Sequence, residues 1–100
     1  MVKHVILWKL KEQESSEATL AIKAGIKEGL EGLFGNIPGL IDIKVITEGL
    51  PSSNADVMLD SSFVNEDALK GYSVNPLHVA VANEKVRPFT ASRTCMDYEV

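Results

Sequence analysis

Tyr72 and His78 stand six residues apart, on either side of an Asn75–Pro76 step, in the run from Asp56 to His78. Asn is a favoured helix N-cap and Pro a favoured first helical residue, so the step reads as one helix ending and another beginning. His78 then falls in the first turn of the second helix, where free N–H groups and the helix dipole present partial positive charge. Protonating an imidazole is disfavoured there, which keeps the histidine neutral and fit to act as a base. A kinked connection can bring the Tyr72 hydroxyl near that imidazole. A neutral His facing a Tyr is a pair suited to proton transfer. The pair suggests a chemistry and names no substrate.

The elements that must hold this pair can be read in order. Residues 2–10 alternate, with Val2, His4, Ile6, Trp8 and Leu10 on one face and Lys3, Val5, Leu7 and Lys9 on the other. That is a strand's period. His4 lies on the more apolar face and reads either as a satisfied core histidine or as a pocket residue. In the pocket reading it shares one cavity with Tyr72 and His78, and Ile6 and Trp8 line the apolar wall. Ser15 or Ser16 can cap a first helix. Its stripe of Ile22, Ile26, Leu30, Leu33 and Ile37 carries on until Asn36, Pro38 and Gly39 end it. Gly25, Gly29 and Gly32 form a second stripe, read as close approach of this helix to the sheet or as room for a ligand. Each glycine costs about 1 kcal/mol against Ala in a helix interior, so the stripe needs a reason.

Leu40–Glu48 is expected as a second strand with Ile41, Ile43, Val45 and Thr47 on one face, and Asp56–Ser62 as a third. Asn65 caps the next helix, which carries Ala68, Leu69 and Tyr72 and breaks around Ser73–Asn75. A second helical segment runs from Pro76 to about Val86, and Pro88 stops it. Thr90–Glu99 alternates again as a fourth strand. Cys95, the only cysteine, sits in that alternation and reads as a small buried hydrophobe.

The order strand, helix, strand, strand, helix pair, strand is the ferredoxin-like split βαβ pattern, α+β in class. It makes a four-stranded antiparallel sheet with helices on one face. The opposite face keeps Val5 and Leu7, and an apolar sheet face left in water is an interaction surface. A homodimer with two sheets packed face to face is therefore expected.

One hundred residues make one domain, 1–100. The apolar share of 45% and charged share of 24% match a globular chain, and no run is long enough to span a membrane. The net charge of −4 and scattered basic residues argue against nucleic-acid binding. With no signal peptide, a cytoplasmic address follows by default. One cysteine permits no internal disulfide. His4, Asp56 and His78 lack metal-ligand spacing, so no metal is expected, and proton transfer by a His–Tyr pair in an aldol-type or tautomerising step needs no organic cofactor.

Several segments together resemble the stress-responsive A/B barrel domain, a branch of the dimeric α+β barrels. They are VKHVILWKLK at the start, IPGL before the second strand, GLPSSNADVMLDSSF, the helix ending in Tyr72, NPLH, and the terminal MDYEV. His4, Asp56, Phe63, Tyr72, Pro76–His78 and Asp97–Tyr98 carry the match, which spans essentially the whole chain. The resemblance implies the fold and dimer just derived, with a cavity between sheet and helices. A plant branch resembles polyketide cyclases, in which His78 would be the base and Tyr72 would assist. His4 matches that branch as well. The chain departs from it at Val57, where some cyclases carry a pocket histidine, and along helix one, where Ile and Gly replace bulky aromatics.

Three readings of function follow. The first is cofactor-free aldol or tautomerising chemistry on an apolar, carbonyl-bearing ligand. The second is a non-catalytic dimeric protein tied to stress, in which Tyr72 and His78 brace the helix break. The third is cofactor-free oxygenation of a phenolic compound. Whether the chain is an enzyme stays open at this point.

Overall fold

The computed structural model describes residues 1–100. Strand β1 spans Val2–Leu10, helix α1 Ser16–Glu31, β2 Leu40–Ile46 and β3 Val57–Phe63. Helices α2, Glu66–Val74, and α3, Pro76–Val81, follow, and β4 spans Thr90–Glu99. The sheet order is β2-β3-β1-β4 with all pairs antiparallel, the ferredoxin-like arrangement. No helix is long and apolar enough to cross a membrane.

Period-two alternation puts Val2, His4, Ile6 and Trp8 of β1 on the helix-covered face, opposite Phe63, Ser61, Leu59 and Val57 of β3. These residues, with Ile43 and Val45 of β2, meet Ile26 and Leu30 of α1 and Leu69 and Tyr72 of α2 in one core. The helices are fixed at their starts. Ser15 Oγ accepts from the Ala18 N–H at 3.1 Å, and Asn65 Oδ1 from the Ala68 N–H at 2.9 Å.

Besides shifts of one or two residues at the ends of β2 and β3, the elements differ from the expected ones in three places. Helix α1 ends at Glu31, so Leu33 and Ile37 reach the core from tight turns and not from a continuing helix. The Leu33 N–H bonds to the Leu30 carbonyl, three residues back, and Gly35 takes a φ of 87°, a left-handed conformation that ends the helical path. In β2 the register slips between Leu40 and Asp42, leaving Ile41 as the extra, exposed residue while Ile43 and Val45 stay inside. The break between α2 and α3 is confined to Asn75.

Cys95 is exposed, not buried. Every residue from Ala91 to Glu99 is exposed, because β4 is an edge strand that the helical layer leaves open. The other edge is capped at Val45. Lys27 Nζ donates to the Val45 carbonyl at 2.7 Å, and the Val45 N–H donates to Glu31 Oε2 at 2.9 Å, so two α1 side chains occupy the outward backbone groups of that residue. Burial opposes the Glu31 charge. The Val45 bond and Lys27 outweigh it and hold the carboxyl below its usual range.

The glycine stripe does not face the sheet. A Cβ on Gly29 would lie 2.9 Å from Val81 Cγ1, and one on Gly25 would lie 3.7 Å from Lys85 Cδ. The close approach is therefore between α1 and the segment that begins with α3. Gly25→Ala should be neutral or stabilising by up to about 1 kcal/mol, because the new methyl makes ordinary contact and Ala favours helix. Gly29→Ala should destabilise by about 1–2 kcal/mol, since displacing the branched Val81 outweighs that gain. Urea midpoints of the two variants should move in opposite directions.

Candidate functional site

The site is built where β1 emerges from under the helices. Asn75 shapes it. Its Oδ1 accepts from the Leu77 N–H at 2.9 Å, its N–H donates to the Tyr72 carbonyl, and Pro76 takes the first helical position. The step between helices turns the chain so that His78 lies over Tyr72, with ring centroids 4.0 Å apart and planes inclined by 32°. The hydrogen bonds of the break come from Asn75, and the Tyr72 hydroxyl and His78 Nδ1 add none. Beyond α3 the chain passes through a π-helical stretch, Ala82–Val86, and a short 3₁₀ turn, Arg87–Phe89. Wide turns of this kind are frequent at functional sites. Thr90 Oγ1 donates to the Val86 carbonyl at 2.8 Å and satisfies a group at the end of that stretch.

A cavity of about 560 Å³ opens between the sheet and these segments. Five residues singled out in the sequence line it together: His4, Ile6, Trp8, Tyr72 and His78. Trp8 and Ile6 form an apolar wall from β1, and Leu59 extends it from β3. His4 is buried and edge-on to Tyr72, with centroids 6.0 Å apart. Its Nδ1 pairs with Asp97 Oδ1 across the β1–β4 register, and its carbonyl accepts from Ser61 Oγ at 2.8 Å. It is thus both a satisfied histidine and a cavity wall. Asp56 plays a structural part, its carboxylate accepting from the Leu10 N–H at 2.8 Å.

Two buried polar atoms on residues of the cavity lining have no hydrogen-bond partner. The Tyr72 hydroxyl and His78 Nδ1 are both buried without a hydrogen bond within the protein. Burial pushes the Tyr72 phenol far above its usual range, with the Arg93 charge opposing weakly, so it stays an un-ionised donor. Burial also lowers the His78 pKa. The Ser73 and Tyr72 carbonyls favour the imidazolium, although neither makes a well-formed hydrogen bond to it, and the Arg87 and His4 neighbours disfavour it. The result is a neutral imidazole stacked on a neutral phenol. Such a pair can take a proton and donate a hydrogen bond on the same ligand.

Several lining residues escaped the sequence reading. Arg87, Arg93 and Ser73 line the cavity, and Asp97 completes His4. The pairing of Asp97 with His4 could have been found by setting β1 and β4 in antiparallel register from their alternation. One side-chain set could hold a metal ion. His4 Nδ1, Cys95 Sγ and an Asp97 oxygen lie within 4.8 Å of one another, brought together by strand pairing and not by sequence spacing.

An antiparallel β2-β3-β1-β4 sheet with one helical layer, and a side cavity between them, defines a ferredoxin-like α+β protein. The model of the stress-responsive A/B barrel domain matches residues 2–100, and the chain belongs to that family. It is similar to a dimeric ferredoxin-like protein of unknown function from Bacteroides fragilis, with 33% identity, 99% of this chain and 95% of that one covered, and a TM-score of 0.90. A family member from Mesorhizobium loti is 18% identical over 99% of this chain and 95% of its own, with a TM-score of 0.75. A hydroxynitrile lyase from Passiflora edulis is 20% identical over 99% and 92%, with a TM-score of 0.72. No curated protein matches the chain.

Two stability measurements check the site's electrostatics. The unfolded chain protonates His78 near pH 6.5, and the folded chain only at lower pH. The contribution of His78 to stability should therefore be constant above pH 6.5, fall as pH drops towards the folded value, and level off below it. His78→Gln should remove that component from a pH series of urea midpoints. Tyr72→Phe should leave stability unchanged or raise it by about 1 kcal/mol, because it removes a buried hydroxyl without a partner.

Proposed function

We propose that this stress-responsive A/B barrel protein binds a small, mostly apolar, carbonyl-bearing molecule in the cavity and moves a proton on it without a cofactor. His78 is the base and Tyr72 the hydrogen-bond donor. One observation carries this reading: Tyr72 and His78 both line the cavity, and each holds a buried polar atom, the Tyr72 hydroxyl and His78 Nδ1, with no partner within the protein. A purely structural role would use such atoms to satisfy the helix break, which Asn75 already does. A carbonyl oxygen would accept from Tyr72, and the acidified C–H beside it would give its proton to His78. The Passiflora edulis neighbour in fold is a hydroxynitrile lyase, which supports enzymatic use of this architecture.

The same reading includes a homodimer. The open sheet face carries Val5, Leu7, Met58, Ile46, Met96 and Tyr98, of which Met96 is 70% exposed. Strand β2 adds mainly Asp42 and Lys44 to that face, so its apolar part lies towards Leu7, Met58 and Ile46. The Bacteroides fragilis relative is dimeric, which supports self-association, and the exposed apolar residues here are the surface we assign to it. A cytoplasmic location suits the exposed thiol of Cys95, since free surface cysteines persist in reducing compartments.

The chemistry is tested by deuterium uptake at the α-carbon of an apolar 1,3-diketone such as 1-phenylbutane-1,3-dione. The protein should accelerate exchange, His78→Gln should slow the accelerated rate by about 10²-fold or more, and Tyr72→Phe should slow it less. Exchange at the buffer rate, or an unaffected His78→Gln variant, would remove the catalytic reading. The assembly is tested by light scattering, which should give twice the chain mass. Val5→Asp should reduce that to one chain, because the new carboxylate would be buried unpaired.

A further inference from the structure

The charge around the cavity is the reverse of the charge on the protein. The chain carries a net charge of −4 and only two arginines, Arg87 and Arg93, and both line this cavity. They come from separate elements, the 3₁₀ turn after the π-helical stretch and the exposed edge strand β4. Neither takes part in an ion pair. Each ion pair in the structure uses a lysine or His4 as its basic partner. No aspartate or glutamate lines the cavity, although the chain has fourteen acidic residues. Arg87 is oriented from below by Asn83 Oδ1, a neutral acceptor that leaves its charge uncompensated. Further in lie the unpartnered Tyr72 hydroxyl, on a side chain 1% exposed, and the apolar wall of Ile6 and Trp8.

We infer that the cavity selects ligands whose apolar body ends in a carboxylate, which Arg87 and Arg93 hold at the rim. This rests on the small-molecule reading above and adds the substrate class. A guanidinium presents a planar fork of donors matched to a carboxylate, and free guanidinium groups facing an apolar cavity favour such an end group over a neutral one. Anchoring the carboxylate at the rim directs the apolar body inward, past His78 and Tyr72. The anchor also acts on the base. The Arg87 charge helps keep His78 neutral, so a carboxylate that neutralises it makes His78 a stronger base once the ligand is in place.

The test uses 4-phenylbutanoate and 4-phenylbutanamide, which match in shape and differ in charge, titrated into the full chain and followed by calorimetry and by the His78 ring signals in NMR. The acid should bind at least about tenfold more tightly than the amide. It alone should move the His78 titration to higher pH. Arg87→Gln with Arg93→Gln should bring the two affinities together, whereas Lys85→Gln, an exposed cation off the cavity wall, should leave the preference intact. Equal binding of acid and amide to the unmodified chain, with both perturbing His78, would overturn the carboxylate inference and leave the pocket reading standing. A preference that survives the double arginine variant would also overturn it. Failure of both compounds to bind would overturn both readings.

Discussion

The structure depends on one shortfall: a single layer of helices covers a sheet of four strands, and it stops before β4. Helices α1 and α2 seal the sheet where β2, β3 and β1 carry large apolar residues, giving the core its dry interior. At the β1–β4 boundary the roof ends. His4, Ile6 and Trp8 are buried on β1, while their neighbours across the register, Asp97, Cys95 and Arg93, are exposed on β4. The cavity is the step between these two conditions. It has an apolar floor because β1 is core, and a charged rim because β4 is surface. A fully roofed sheet would have made this region ordinary core, and an unroofed one would have put His4 and Tyr72 in water.

The helix break turns that margin into a site. Asn75 and Pro76 redirect the chain within one residue, and the short α3 places His78 back over Tyr72. The π-helical stretch that follows keeps Ala82 and Val86 at the cavity while carrying the chain on to Arg87. Burying the Tyr72 ring is worth about 2 kcal/mol. Leaving its hydroxyl unbonded costs a comparable amount, about 1–3 kcal/mol. The fold tolerates the loss because the ring is held by Phe63, His4 and His78 together. A ligand that bonds the hydroxyl recovers what folding gave up.

Much of this was legible in the sequence, and the reasons for the rest are physical. Strand alternation, the Ser15 and Asn65 caps and the Asn75–Pro76 step are local signals, and each gave its element to within a residue or two. Residues of one strand face, such as His4, Ile6 and Trp8, follow from the period alone. What failed depends on partners distant in sequence. The exposure of Cys95 follows from how far the helical layer reaches, which no alternation in β4 records. The early end of α1 was hidden because Leu33 and Ile37 keep a helix-like spacing while reaching the core through turns. The pairing of Asp97 with His4 needs the strand register. The isolation of Arg87 and Arg93 from every carboxylate is a property of the folded surface.

The two edges of the sheet are treated differently, and this bears on how copies of the chain can join. At β2 the outward N–H and carbonyl of Val45 are already taken by Glu31 and Lys27, so an incoming strand finds that edge stoppered. At β4 a ten-residue edge is left with its backbone groups outward. Lys27 and Glu31 thus guard β2 against strand addition at Val45, whereas β4 offers its open edge to another strand. Pairing of β4 with β4 is two-fold, so it closes on itself at two copies.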